Sequence, residues 1–260
     1  MQEAIVTTRG LQYDRQWMLV DADNRFLSQR EFAAMALLEP EISGESMIVH
    51  NRQREQAPLT IALHPPVKET MMVNVWSDRC RAAISTPEAD DWFSTALGMK
   101  CRLVYMPETT NRRVDGRYAH AKENTMFSDG YPFMMIGEAS LQDLNSRLEV
   151  PLPMNRFRPN IVFDGGLPYQ EDGMKSFRIN NMNFSGVKLC SRCNVTTIDQ
   201  ETTETGKEPL KTFASYRRKN NKVYFGQNLL CDATGKIRIG DELILNDHST
   251  AAPVPETSSS

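Results

Sequence analysis

The chain has 260 residues, enough for one large domain or two modest ones. Apolar residues make up 40% and charged residues 24% of it, which excludes disordered and fibrous classes. A net charge of −3 and a pI near 5.9 give no overall basic field for holding a nucleic-acid backbone, and no apolar run reaches the roughly 18–20 residues that cross a bilayer. The start, MQEAIVTTRG, lacks the order of a secretory signal, so the expectation is a cytoplasmic protein with neither a nucleic-acid nor a membrane partner. Five cysteines form an odd set and argue against a disulfide framework.

The first third predicts short strands separated by polar turns: RQWMLVD, then RFLSQR after a turn at Asp23-Asn24, then SMIVHNR, PLTIALH and TMMVNVW. Together these read as a small antiparallel barrel or sandwich. Thr86, Pro87 and the acidic PEADD segment predict a helix that runs to about Leu97. From CRLVYMP a second region is expected, with a helix at GEASLQDLNSRL, where Leu141, Leu144 and Leu148 share one face. Further strands are predicted at PNIVFDG, SFRINN, FSGVKLC, KVYFGQNLL and KIRIGDELIL, so the fold class is mostly β (α+β). The Pro- and Ser-rich end, residues 248–260, is expected to be a flexible tail or linker stub.

Cys80, Cys101 and Cys231 sit in apolar or alternating stretches and read as small buried hydrophobes. Cys190-Ser191-Arg192-Cys193 differs, because it ends a predicted strand just before a loop. Its C-x-x-C spacing fits half of a zinc site, a redox dithiol or a metal-bound cysteine. A zinc site lacks further ligands, with His50, His64, His120 and His248 scattered, and a thioredoxin-like dithiol lacks its βαβ context. Arg192 between the thiols favours thiolate, the form that binds a soft metal. Phe157 to Asn160 (FRPN), Phe225 to Asn228 (FGQN) and Ser128 to Pro132 (SDGYP) each join polar groups to a turn residue.

In order, GLQYDRQWMLVD, SDGYPFMMIGEASLQDLNSRL, NRFRPNIVF, CSRCNVTTID, EPLKTFASYR, FGQNL and IRIGDEL resemble the MOSC-domain proteins with an N-terminal MOSC β-barrel, the family that includes the amidoxime-reducing components. The resemblance runs from about Gly10 to Leu245. It implies an N-terminal barrel domain at residues 1–98 and a MOSC domain at 99–247. It further implies a molybdenum–molybdopterin cofactor, with two sulfurs from the pterin and one thiolate from the second cysteine of the C-x-R-C motif, Cys193. Cys190 falls on a position that does not bind the metal and is expected to pack behind it.

By the same resemblance Arg15 and Arg158 meet the pterin and its phosphate, as arginine forks suit that group. Asp129, Gly130, Ser191, Arg192 and Asn228 match further cofactor contacts, although an ion pair between Arg15 and Asp14 is the plainer reading of that arginine. The implied reaction is a two-electron reduction of hydroxylamines, amidoximes or N-hydroxylated nucleobases, in a detoxifying role. The electrons would come from a separate flavin or iron–sulfur donor, as no cysteine follows Cys231 to form a ferredoxin motif. The alternative is a cofactor-binding or sulfur-carrier module without turnover of its own, and pyridoxal phosphate binding is a further family attribute the resemblance allows. The chain begins just after the point where relatives carry a Pro-x-Lys-Ser segment, which predicts weaker cofactor contacts and an unpaired sheet edge near the N-terminus.

Overall fold

Segments of two to ten residues, most of them alternating or apolar, pair as strands, and a computed structural model shows how for residues 2–119 and 121–246. The predicted tail at 248–260 lies outside the described residues. The chain opens with β1 (Glu3–Thr7), β2 (Gly10–Leu11) and β3 (Trp17–Val20). A meander follows: β4 (Leu38–Ser43), β5 (Ser46–Asn51) and β6 (Leu59–Ala62). Next come β7 (Thr70–Val75), β8 (Asp78–Ile84), α1 (Pro87–Leu97) and β9 (Arg102–Tyr105). After a long loop the chain forms β10 (Phe133–Gly137), α2 (Glu138–Ser146), β11 (Ile161–Phe163), β12 (Ser176–Ile179) and β13 (Met182–Ser191). It ends with α3 (Leu210–Tyr216), β14 (Arg218–Lys219), β15 (Lys222–Cys231), β16 (Gly235–Arg238) and β17 (Leu243–Leu245). No helix among the described residues is long and apolar enough to cross a membrane.

The architecture is mostly β with a few helices, in four sheets. One runs β3-β9-β8-β7, another β4-β5-β6, and a seven-stranded sheet runs β11-β10-β15-β13-β12-β17 with β14 paired to β15. The fourth, β16-β1-β2, joins the two ends of the chain: β1 pairs on both sides, so the sheet edge expected there is covered. Through it Val6 enters the core of the later half with Phe133, Met135, Phe177, Phe184 and Leu229. Conversely β9, from the CRLVY segment expected to open the second region, pairs with β3 and β8. Its Leu103, with Cys101 beside it, packs under α1 against Ala89 and Phe93.

Local chemistry explains the agreements and the departures. The predicted helix α1 starts where the Thr86 hydroxyl accepts the Ala89 amide, carries Glu88 and Asp90 in its first turn and stops at Gly98 with φ 68°. RFLSQR is not a strand: only the isolated bridges Val20 to Phe26 and Arg25 to Asn74 form. The Asp21 carboxylate holds a turn by accepting the Asp23 and Arg25 amides, and Leu27 then dives into the core. KIRIGDELIL, read as one strand, breaks at Gly240 with φ 91° into β16 and β17, which join different sheets. Cys80, Cys101 and Cys231 are buried as expected, and desolvation pushes their thiols up.

Glu171 is fully buried, accepting hydrogen bonds from the Ser140 hydroxyl at 2.7 Å and from the Gly137 amide at 3.4 Å. Burial raises its pKa above the ordinary glutamate range, so the native state holds this proton more tightly than the unfolded chain. The stability it contributes is therefore present below the ordinary glutamate pKa and is lost as pH rises through the raised value. Unfolding free energies measured in urea between about pH 4 and 8 should fall with pH in the parent relative to Glu171→Gln. Parallel curves would mean that the carboxyl titrates alike in both states.

Candidate functional site

β13 and β15, ten residues each, pair along their length, and their register slips twice, between Gly186 and Lys188 and between Leu189 and Ser191. The second bulge falls on Cys190, and bulges re-aim side chains at the ends of strands. Beyond it the chain turns through Cys193, whose carbonyl accepts both the Thr196 amide at 3.2 Å and the Thr196 hydroxyl at 2.9 Å. Cys190 and Cys193 are unpaired and half-buried, unlike the three core cysteines. Arg192 is spread between neighbours: it donates to the Phe157 carbonyl at 2.5 Å and to the Cys190 sulfur at 3.1 Å. Cys190 thus holds Arg192 in place, leaving Cys193 as the thiol that lines the adjoining cavity.

Three loops converge beside this turn. Asp14 accepts hydrogen bonds from Arg15 and, at 2.7 Å, from the Asn160 amide, while the Asn160 carbonyl oxygen accepts the Met134 backbone amide at 3.0 Å. Arg15 also donates to the Arg158 carbonyl at 3.2 Å. Arg15 therefore forms the ion pair with Asp14 that its sequence also allowed, and it reaches the backbone of Arg158. Arg15 and Arg158 hold left-handed backbone, φ 53° and 55°, a conformation that costs a non-glycine residue about 1–2 kcal/mol.

Arg158 is the unsatisfied member of the group. Its side chain is open to solvent, yet protein crowds it on the flanks, the condition of a group in a recess. Desolvation first, then the charge of Arg15, hold its pKa below the ordinary arginine range, with Arg192 acting in the same direction. Among the described residues no carboxylate, carbonyl or aromatic ring engages its guanidinium. The buried Nε of Arg192 is likewise unpartnered. Cations gathered at this cost suit an anionic ligand that binds arginine forks.

The Asp129-Gly130 loop lies within electrostatic reach of Arg158. The Asp129 carboxylate accepts the Trp76 indole at 3.1 Å and Arg30 at 3.4 Å, and Arg30 lies 4.0 Å over the Trp76 ring. Gly130 faces open space. The loop is fixed from beneath by Arg112, 3% exposed, which donates to the carbonyls of Met126 at 2.8 Å and Ser128 at 2.6 Å and pairs with Asp78 at 2.9 Å. In FGQN, a Cβ on Gly226 would come within 2.8 Å of the Met135 carbonyl and of Ile136, so only glycine lets β15 lie this close to β10. Asn228, in register with Met134, is half-buried and forms no side-chain hydrogen bond with described residues. Gln227 beside it is 1% exposed with both amide atoms unpartnered.

Ser191, Arg192 and Cys193 line one wall of a cavity of about 390 Å³. A larger one, about 730 Å³, opens between β1, β11, β16 and β17, is lined by neither half-buried thiol and contains none of the predicted site residues. The smaller cavity is therefore the chemical one. Sequence reasoning named Asp14 only as a partner for Arg15 and missed Asn160, although it lies in a motif singled out, and it missed Arg30, Trp76 and Arg112, which have no local signature. Among the described residues no three His, Cys, Asp or Glu side chains converge. A metal on Cys193 would thus take its other donors from a bound group, and a soft sulfur donor next to Arg192, whose Nε is unpartnered, fits one that carries sulfur and an anion.

The chain matches known protein families over most of its length. The MOSC N-terminal beta barrel domain family matches residues 1–100, and the MOSC domain family matches residues 122–244. Mitochondrial amidoxime-reducing component 1 of Mus musculus is 30% identical over 264 residues, covering 94% of this chain and 77% of its own. The Homo sapiens protein of that name is 30% identical over 269 residues with the same coverage. Molybdenum cofactor sulfurase of Oryza sativa subsp. japonica is 31% identical over 241 residues, 85% of this chain but 29% of its own length, so the chain spans under a third of that relative.

Proposed function

The chain belongs to the MOSC-domain proteins with an N-terminal MOSC β-barrel, and from that premise we propose that it binds a molybdenum–molybdopterin cofactor through Cys193 and reduces N-hydroxylated compounds. The observation that carries the reading is one half-buried thiol, Cys193, on a cavity wall that Arg30, Arg192 and Arg218 share, with Arg158, which has no protein partner, within electrostatic reach of Arg192. When bound, the cofactor supplies a two-electron redox centre. The reaction takes R–NH–OH, two electrons and two protons to R–NH2 and water, breaking the N–O bond, with a separate flavin or iron–sulfur protein as donor.

The chain's own groups have separable parts. Cys193 offers the thiolate. Arg15 and Arg158 offer forked donors to the cofactor phosphate, held by Asp14, Asn160 and their left-handed backbone. The unengaged amide of Asn228 and the open Asp129-Gly130 loop offer hydrogen bonds to the pterin ring. The sulfurase similarity favours a second reading, a cofactor-binding or sulfur-carrier module without turnover.

The test is to produce the chain in a host that makes the pterin, assay molybdenum, and measure reduction of a hydroxylamine and an amidoxime with an artificial donor. Molybdenum with turnover supports the reductase, and molybdenum without turnover supports the carrier. Absence of molybdenum overturns both. Arg158→Gln should weaken cofactor retention about tenfold or more, the loss of a charge-assisted pair, without lowering the thermal midpoint.

A further inference from the structure

The cavity that Cys193 lines is also lined by two cations of a neighbouring hairpin. Arg218 and Lys222 stand on the hairpin of β14 and β15, whose two turn residues, Asn220 and Asn221, have φ 49° and 59°. Two left-handed turn residues make the tight hairpin that matches the twist of its strands, so the arms are stiff. The hairpin is also tied to the cysteine turn: the Arg192 amide donates to the Val223 carbonyl at 2.9 Å and Ser191 is in register with Tyr224. On its other flank Arg217, nearly buried, pairs with Asp172 at 2.6 Å and donates to the Tyr224 carbonyl at 3.0 Å. The backbone that carries Arg218 and Lys222 is thus fixed relative to Cys193.

Their charges are unspent. Arg217 has a carboxylate, whereas Arg218 and Lys222 form no side-chain hydrogen bond or ion pair with the described residues, and no carboxylate lines the cavity. Leu210, Ala214 and Val223 supply an apolar part of the lining. Lys219 faces Lys222 directly across the hairpin, a like-charge pair that costs stability and so is not there for folding. A volume of about 390 Å³ suits a small organic molecule.

We propose that this cavity is a substrate subsite selective for anions, taking N-hydroxylated compounds that carry a phosphate or carboxylate, which Arg218 and Lys222 bind while the apolar patch receives the body of the molecule. The inference rests on the reductase reading for the chemistry, but not for the binding. It makes Arg218 and Lys222 specificity residues rather than catalytic ones.

The experiment uses the molybdenum-loaded protein, a small artificial donor and two matched pairs: N-hydroxycytidine with its monophosphate, and benzamidoxime with para-carboxybenzamidoxime. At low salt the anionic member of at least one pair should have a kcat/KM about tenfold above its neutral partner, as expected for gaining charge-assisted contacts. That ratio should fall to near one in the double variant Arg218→Gln, Lys222→Gln. Preference in the first pair alone identifies phosphate as the recognised group, in the second alone carboxylate. No preference in either pair, or a preference that survives in the double variant, overturns the proposal. Calorimetry with cytidine monophosphate against cytidine separates the two readings. If nothing is reduced but phosphate-dependent binding disappears in the double variant, the reductase fails and the anion subsite stands; if nothing is reduced and no such binding occurs, both fall.

Discussion

Cys193→Ser should strip the protein of molybdenum and of N-hydroxy reduction, each by more than about a hundredfold, a loss that even groups supporting a metal ligand can produce. The reason lies in the donor set. Serine is a hard, protonated hydroxyl at neutral pH, whereas the thiol is soft and readily ionised, and no cluster of other metal-binding side chains among the described residues stands ready to replace it. Cys193 is half-buried in a turn held by its carbonyl rather than its side chain, so the thermal midpoint should stay within about 2 °C of the parent. Cys190→Ser is the matched control. Its sulfur accepts a hydrogen bond from Arg192, which a hydroxyl oxygen also accepts, so turnover should change only a few-fold, within about 1 kcal/mol. Equal losses in the two variants would make the pair a dithiol unit, and full molybdenum in Cys193→Ser would remove the thiolate assignment.

What the sequence revealed depended on how local each determinant was. The cap of α1 is written within four residues, Thr86 to Ala89, and the helical spacing of Leu141 and Leu144 within four more, so both helices could be read. Pairing of β1 with β16 joins residues more than two hundred positions apart and leaves no mark in either strand beyond alternation. The short α3 went unread as a helix because its seven residues are held by Phe213 packing on Phe157 and Phe225, a tertiary cause. At the site, Arg15, Arg158 and Cys193 were legible as parts of motifs, and the structure brings their loops together. The residues that hold those loops were not legible. A buried arginine in a polar loop looks like a surface one until the carbonyls around it are counted.

Arg112 is that residue, and Arg112→Met should destabilise the protein by about 2–4 kcal/mol, the lower part of what breaking a buried ion pair costs. The side chain closes the Thr125 to Asp129 loop on itself: its guanidinium donates to the buried carbonyl of Ser128, the half-buried one of Met126 and, at 3.4 Å, that of Asp129, and its own backbone carbonyl accepts the Thr125 amide at 2.9 Å. Methionine fills the space but donates nothing, leaving those carbonyls without partners. Asp78, by contrast, is partly exposed and can turn to water, which keeps the cost from reaching that of a fully buried pair. A chain of this size should lose roughly 5–12 °C in thermal midpoint. Because the freed loop carries Asp129, cofactor retention should fall as well, and excess pterin should restore the thermal midpoint in part, since a ligand that binds only the native state stabilises it. An unchanged midpoint would mean that water replaces the guanidinium on these carbonyls; a lowered midpoint that pterin does not shift would separate the loop from the cofactor. Arg112→Lys discriminates further: one ammonium reaches one carbonyl or Asp78 but not the whole fork, so its loss should fall between the parent and Arg112→Met.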